Sequence, residues 1–235
     1  MKRLLSNNLI KLPIGLQEDN MLLKKEREEL YIYYEKMLNA DLTNGTSGNV
    51  SIFNRKEQLV AISPSGVRFD ILQLEDISIL DLEGNLIEGL KPSSELQMHL
   101  TIYKNREDVS AIIHGHTIYA TTVACLRNDL PAIDYMIAVA GGNNVRCADY
   151  ATFGTPELAE NALEAMKGRK AVLLANHGLI AGADTIQNAF NITEQIEYIS
   201  QLYIQAKTVG DPVILPDEEM VKMVELFKDY GQINK

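Results

Sequence analysis

Val109-Ser110-Ala111-Ile112-Ile113-His114-Gly115-His116 is the stretch that leaves this chain the fewest choices. Val109, Ile112 and Ile113 are β-branched, and the apolar run is short, so these residues predict an extended, buried strand rather than a helix. Side chains two apart on a strand share a face. His114 and His116 therefore project together, with Cα atoms about 7 Å apart, a spacing at which two imidazoles reach one metal ion. Gly115 faces the other side and leaves room for close packing.

Upstream, Pro92-Ser93-Ser94-Glu95-Leu96-Gln97-Met98-His99 predicts a helix start, with Ser94 as N-cap, Gln97 as its return partner, and Leu96, Leu100 and Tyr103 on one face. Glu95 then falls in the first turn beside free backbone N–H groups. The same helix start, with the hydroxyls of Ser93 and Ser94, is an anion seat. A metal-ligand pair, a carboxylate and a phosphate seat thus converge within about 25 residues of sequence.

Composition limits the partners. The 22 basic and 32 acidic residues give a net charge of −10, which argues against general affinity for nucleic acid or anionic membranes. An anion would have to be held by a local pocket. With 235 residues, 46% of them hydrophobic, the chain can bury one substantial core, and the absence of repeats or a Pro- or Ser-rich linker favours a single domain. The start, Met1-Lys2-Arg3-Leu4-Leu5-Ser6-Asn7-Asn8, is broken by Asn, Lys and Pro before a signal-like apolar run develops. No stretch approaches the ~20 apolar residues of a membrane span, so a soluble chain is expected. Cys125 and Cys147 form no C-x-x-C pair, which fits a reduced, cytoplasmic protein.

Taken in order, residues 1–20 keep no steady period and read as an extension, with residues 21–235 as the main domain. Met21 to Leu42 predicts a helix with Leu30, Tyr34, Met37 and Leu38 as its apolar positions. Asn44 to Phe53 is a glycine turn feeding a strand, Gln58 to Ile62 its neighbour, and Ser63-Pro64-Ser65-Gly66 a second small-residue turn. Neither turn has P-loop spacing, yet both offer N–H groups and hydroxyls suited to a small phosphate. Asp76 to Ile87 predicts a hairpin around Asp81 to Asn85. Tyr119 to Leu126 reads as a helix, Asp129 to Gly142 as a strand closed by two glycines, and Thr155-Pro156-Glu157 as a helix start, with the end near Gly168. Ala171 to Asn176 reads as a buried strand that delivers His177-Gly178. Asp184 to Lys207 is an amphipathic helix stopped by Gly210-Asp211-Pro212, and a last helix runs from about Asp217 to Tyr230.

The chain has four histidines, and three of them, His114, His116 and His177, adjoin glycine on or at the end of strands. Three imidazoles with an open position suit a catalytic zinc better than a closed structural site, which more often uses thiolates. His99 lies within the predicted helix and is expected to pack or hydrogen-bond rather than ligate. Glu95 is either a helix-start carboxylate or a catalytic base and fourth ligand, and its nearness to the His-Gly-His strand favours the second.

Gly45-Thr46-Ser47-Gly48-Asn49, the Ser-Pro-Ser-Gly turn, Pro92-Ser93-Ser94-Glu95, His114-Gly115-His116 and Asn176-His177-Gly178 together resemble the class II aldolase/adducin family. Pro131-Ala132-Ile133 with Tyr135-Met136-Ile137, Ala140-Gly141-Gly142-Asn143 and Tyr150-Ala151-Thr152-Phe153-Gly154-Thr155 are most similar to its L-fuculose-1-phosphate aldolases. The resemblance runs from about Met21 to the C-terminus. It implies a single-domain, three-layer α/β/α fold with a central, largely antiparallel sheet, and one zinc ion per subunit on His114, His116 and His177. It also implies that Glu95 is the acid/base and a displaceable fourth ligand. Phosphate would lie among Thr46, Asn49, Ser65, Gly66, Ser93 and Ser94, and Phe153 would line the aldehyde pocket. Tyr135 would reach a neighbouring subunit's site in a homotetramer with sites at subunit contacts, and Tyr230 would close over the substrate.

The implied activity is reversible cleavage of L-fuculose 1-phosphate, or a closely related 1-phosphorylated ketose, to dihydroxyacetone phosphate and L-lactaldehyde. No lysine joins the constellation to form a Schiff base. Ser63 and Ser65 stand where threonines are common in the family and Asp134 where histidine is usual, departures that bear on substrate rather than chemistry. The alternatives within the family are L-ribulose-5-phosphate 4-epimerases, methylthioribulose-phosphate dehydratases and non-catalytic adducin-like interaction modules. Glu95 and the Tyr135 segment favour an aldolase over an epimerase, and retention of three histidines speaks against the interaction module.

Overall fold

The computed structural model describes residues 21–227. Helix α1 (Lys24–Asn39) leads to strands β1 (Asn49–Asn54), β2 (Leu59–Ile62), β3 (Ser78–Asp81) and β4 (Leu86–Glu88), then helix α2 (Leu96–Asn105). Strand β5 (Ala111–Gly115) is followed by α3 (Ile118–Cys125), β6 (Leu130–Pro131), a 3-10 helix (Tyr135–Ala140), β7 (Asn144–Val145) and β8 (Cys147–Ala148). The chain continues through α4 (Pro156–Ala165), β9 (Ala171–Leu174), β10 (Gly178–Ala183), α5 (Ile186–Val209) and α6 (Asp217–Leu226).

Eight strands form one sheet in the order β4-β3-β2-β1-β5-β10-β9-β8, and only the β8–β9 pair is parallel. Because side chains alternate across a strand, the sheet divides the apolar residues into two cores. Ala111, Ile113, Leu173, Leu179 and Ala181 pack towards α1, α3 and α5, with Leu30, Tyr34, Met37, Ile196 and Ile199 opposite them. Ile112, Val172, Leu174 and Ile180 pack towards α2 and α4, against Met98, Ile102, Leu158 and Ala162. The result is the three-layer α/β/α arrangement with a mostly antiparallel sheet that the family resemblance implied. Among the described residues no helix is long and apolar enough to cross a membrane.

Five elements depart from the sequence expectation. The helix after Pro92 starts at Leu96, with Glu95 rather than Ser94 at the N-cap position. Long-range pairing explains the delay: Pro64 bridges Pro92, Ser65 N–H donates to the Lys91 carbonyl, and Ser93 N–H donates to the Ser63 carbonyl. The backbone is thus held extended through Ser93, whose hydroxyl accepts from Glu95 N–H, while the Gln97 amide turns to Thr101 instead of back to a cap. The segment expected as a strand over Asp129 to Gly142 pairs only at Leu130 and Pro131, then winds into the 3-10 helix. Asp134 starts that helix by accepting from Met136 N–H at 2.8 Å, and Gly141, at φ 86°, ends it.

Strand β10 was not anticipated, since its two glycines and two alanines carry little β-branched signal. It nevertheless lies mid-sheet between β5 and β9, fully buried. The helix from Pro156 ends at Ala165, one turn short of Gly168, because the chain must bend there to enter β9. The last helix ends at Leu226, ahead of the expected Tyr230, and Tyr230 itself and the extension over residues 1–20 lie outside the described residues.

Helix α4 begins as its sequence requires, with Thr155 Oγ1 accepting from Leu158 N–H at 3.3 Å and Pro156 at the first helical position. Thr155→Ala should therefore lower unfolding free energy by about 1 kcal/mol in urea titration, and Thr155→Ser should restore most of it. Equal stability of all three proteins would show that the hydroxyl does not cap the helix.

Candidate active site

Strand register brings the chemistry together. Asn49 of β1 is directly opposite His114 of β5, and His114 is opposite Ile180 of β10, so His114 stands at the centre of the sheet, fully buried. It shares the face of Ile112, which looks towards α2. Asn49 and Ser51 share that face too, by the same alternation. His116 follows one residue beyond the end of β5. His177 comes from the three-residue turn that joins β9 to β10, and Glu95 from the start of α2.

These four side chains face one point. Their ligand atoms all lie within 4.8 Å of one another. His114 Nε2 is 2.9 Å from His116 Nε2 and 3.1 Å from Glu95 Oε2, while His177 Nε2 is 3.2 Å from Glu95 Oε1. The three rings stand edge to face, with centroids 4.7 to 4.9 Å apart.

The donor set fits a divalent cation. His114 Nδ1 lies 3.0 Å from the Leu179 carbonyl, which can only accept, so a proton on Nδ1 is held there and Nε2 is the nitrogen turned to the shared point. Burial, then the charges of His114 and His177, lower the His116 pKa to about 4, which leaves that ring neutral and its lone pair available at ordinary pH. Glu95 Oε1 is buried, and among the described residues its contact is with His177 Nε2 at 3.2 Å. Burial pushes the Glu95 carboxyl up, but His114 and His177 more than reverse this by charge and hydrogen bonding, and it ends well below the usual carboxylate range. Three imidazole nitrogens and an anionic oxygen, converging without another donor to separate them, make a site of the kind that holds zinc or a similar ion.

His99 does something else. Ser51 Oγ lies 2.6 Å from His99 Nδ1 and 2.6 Å from the Tyr103 hydroxyl, a buried chain just behind Glu95 on α2. Burial and then the charge of His114 lower the His99 pKa to about 3, so it is a neutral hydrogen-bonding residue, as the sequence suggested. Asn49 completes the support: its Nδ2 donates to Glu95 Oε2 at 3.0 Å.

A cavity of about 330 Å³ opens above the cluster. One wall is Thr46, Ser47, Gly48 and Asn49, the next Pro64, Ser65 and Gly66, and the third Ser93, Ser94 and Glu95. His116 and His177 reach its floor, and Tyr150, Ala151, Phe153 and Asn176 close the remaining side. Among the described residues no lysine or arginine lines it, so an anion bound there meets hydroxyls, amides and backbone N–H groups. Every residue proposed from the sequence for phosphate is in this wall: Thr46, Asn49, Ser65, Gly66, Ser93 and Ser94. Phe153 is there as well.

One expected residue is elsewhere. Tyr135 is half-exposed, pairs its ring with Phe227 at 6.3 Å, and does not line the cavity of its own chain. Tyr230 lies outside the described residues. Sequence reasoning assigned no role to Tyr150 or Asn176, although both sit inside the motifs that carried the family resemblance.

Comparisons with known proteins identify the family. A family profile described as Class II Aldolase and Adducin N-terminal domain matches residues 28–204. A 5-deoxy-D-ribulose 1-phosphate aldolase from Bacillus thuringiensis serovar kurstaki is 55% identical over 213 residues, which cover 90% of this chain and 100% of that protein. An L-fuculose phosphate aldolase from Escherichia coli strain K12 is 42% identical over 197 residues, covering 83% of this chain and 91% of the relative. Among solved structures, an L-fuculose 1-phosphate aldolase superposes with a TM-score of 0.86 at 55% identity, covering 88% of this chain and 98% of that one.

The ligand cluster depends on close backbone packing at Gly178. A Cβ added there would come within 2.6 Å of the Gly115 carbonyl oxygen and 3.3 Å of His114 Cε1. Gly178→Ala should therefore shift His114 and weaken divalent-metal retention about tenfold, read as metal-to-protein ratio after dialysis against a graded chelator. Unchanged retention would mean that the β5–β10 spacing does not set the ligand geometry.

Proposed function

Because this chain belongs to the class II aldolase and adducin family, we propose that it is a zinc-dependent aldolase acting on a 1-phosphorylated deoxyketose. It would reversibly split L-fuculose 1-phosphate or 5-deoxyribulose 1-phosphate into dihydroxyacetone phosphate and a short aldehyde. The observation that supports this best is the convergence of Glu95, His114, His116 and His177 at the base of a cavity that Glu95, His116 and His177 line and whose other described walls offer hydroxyls and amides. The two relatives described above support the substrate class, one named for 5-deoxy-D-ribulose 1-phosphate and the other for L-fuculose phosphate.

In this reading the phosphate lies among Thr46, Asn49, Ser65, Gly66, Ser93 and Ser94, where turn N–H groups and hydroxyls satisfy a dianion without a cation. His114, His116 and His177 would hold the zinc ion. When bound, it supplies Lewis-acid stabilisation for the negative charge that develops on the dihydroxyacetone phosphate half as the carbon–carbon bond breaks. Glu95 moves the proton at C3: it takes one from dihydroxyacetone phosphate in condensation and returns it in cleavage. To do so it leaves its place between His114 and His177, as a displaceable fourth ligand does. Tyr135 moves the proton on the aldehyde oxygen. Being exposed and outside its own cavity, it serves a neighbouring subunit of a homotetramer whose sites lie at subunit contacts. Phe153 lines the aldehyde side and Tyr230 closes over the substrate. The catalytic unit spans residues 21–235, residues 1–20 extend it, and two free cysteines suit a cytoplasmic enzyme.

Dihydroxyacetone phosphate release should be measured from L-fuculose 1-phosphate and 5-deoxyribulose 1-phosphate, with L-ribulose 5-phosphate beside them, before and after chelation and zinc add-back. Cleavage that chelation abolishes and zinc restores is expected. Epimerisation of the pentulose 5-phosphate without release would overturn the aldolase reading, and a metal-free protein with no turnover would favour an interaction module. Glu95→Gln should lower kcat by a factor on the order of 10²–10⁴ while keeping its metal. His114→Ala should lose both metal and turnover, and equal metal loss in the two variants would remove the proposed division of roles.

A further inference from the structure

Asn176 and Arg127 form a braced pair at the cavity mouth that the metal and phosphate sites do not use. Asn176 precedes His177 in the turn between β9 and β10, with its backbone in the left-handed region at φ 54°. Its N–H donates to the Ala124 carbonyl at 3.2 Å, the same oxygen that accepts from Arg127 N–H at 3.0 Å. Arg127 Nε in turn donates to Asn176 Oδ1 at 2.9 Å, and its guanidinium lies 5.8 Å from the centroid of the Tyr150 ring. Arg127 thus ties together two residues of the cavity wall without lining the cavity itself.

This bracing fixes which end of the carboxamide faces a ligand. With Oδ1 engaged by Arg127 from outside the cavity, the Nδ2 group is the end left over, and it donates to no acceptor among the described residues. Hydrogen bonding at the oxygen also polarises the amide and strengthens its N–H groups as donors. Beside it stand His177, which belongs to the ligand cluster, and Tyr150, which continues the wall towards Phe153. The donor is therefore next to where the aldehyde half of a substrate would emerge from the metal.

We infer that Asn176, aimed by Arg127, is a specificity-determining donor that binds the hydroxyl on the carbon next to the aldehyde carbon. This rests on the aldolase reading above. L-Lactaldehyde carries that hydroxyl and acetaldehyde lacks it, so the pair of residues sets how the enzyme ranks longer against shorter deoxyketose phosphates. Asn176 would touch substrate, and Arg127 is a positioning residue that acts through it.

The test is condensation of dihydroxyacetone phosphate with L-lactaldehyde and with acetaldehyde, reading the ratio of kcat/KM for the two aldehydes in the zinc-loaded enzyme. Asn176→Gly keeps the left-handed backbone, and Asn176→Asp keeps the shape while replacing the donor by an acceptor. Both should lower the lactaldehyde-to-acetaldehyde ratio about five- to tenfold with metal content retained. Arg127→Met should lower the ratio in the wild-type background and add nothing in Asn176→Gly. A ratio within twofold of wild type in both Asn176 variants would overturn the inference and leave the aldolase reading standing, as would a wild-type enzyme that takes acetaldehyde and refuses L-lactaldehyde. Failure of the wild type to condense either aldehyde would overturn the aldolase reading and this inference with it.

Discussion

Three imidazole nitrogens and a carboxylate, pressed to within 4.8 Å of one another at the centre of a sheet, form the interaction on which this protein is built. Lone pairs aimed at one point repel unless a cation or proton stands between them. The fold holds them there by strand pairing. His114 has a partner strand on each side, β1 and β10, and its Nδ1 is committed to a β10 carbonyl. Glu95 is fixed from behind by Asn49 on β1 and by the Ser93 hydroxyl that caps its own N–H. Around this centre the sheet separates two apolar cores, so the polar cluster lies where α2 meets the sheet and is shielded on both sides.

The cavity above the cluster solves a different electrostatic problem. A chain with net charge −10 repels anions at long range, yet the described residues of the wall bring hydroxyls, amides and backbone N–H groups rather than cations to face one. The Ser63–Gly66 turn and the Ser93–Ser94 segment are joined by backbone pairing at Pro64 and Pro92, which orders the donors before any ligand arrives. Preordered N–H and O–H groups lose little conformational entropy on binding. With no lysine or arginine among the described wall residues, recognition there depends on shape and donor direction more than on charge.

Much of this was readable in the sequence, for local reasons. The His-Gly-His strand declared itself through β-branching and a two-residue period, the two cavity-wall turns through Gly and Ser, and α4 through its Thr-Pro-Glu start. What was missed depends on contacts between distant residues. Strand β10 is glycine- and alanine-rich because it packs closely on Gly115 and Val109, so its sequence lacks the usual strand signal. The late start of α2 follows from a bridge between Pro64 and Pro92 that no local pattern reveals. The 3-10 helix arises because the Met136 to Ala140 run packs on α5 and α6, against its strand-like composition. Asn176 gained its place through Arg127, 49 residues away, and no motif spacing carries that information.

The wide separation of the ligands along the chain has a consequence for how this protein assembles. Glu95, His114 and His177 come from three segments that meet only once β10 has inserted between β5 and β9, a pairing that closes a loop of more than sixty residues. Such non-local pairing is slow to form and late in a folding reaction. A metal ion is therefore not a nucleus for this sheet but a clasp on its completed form. Its binding energy adds to the native state alone, by mass action, and any opening of the central strands releases it.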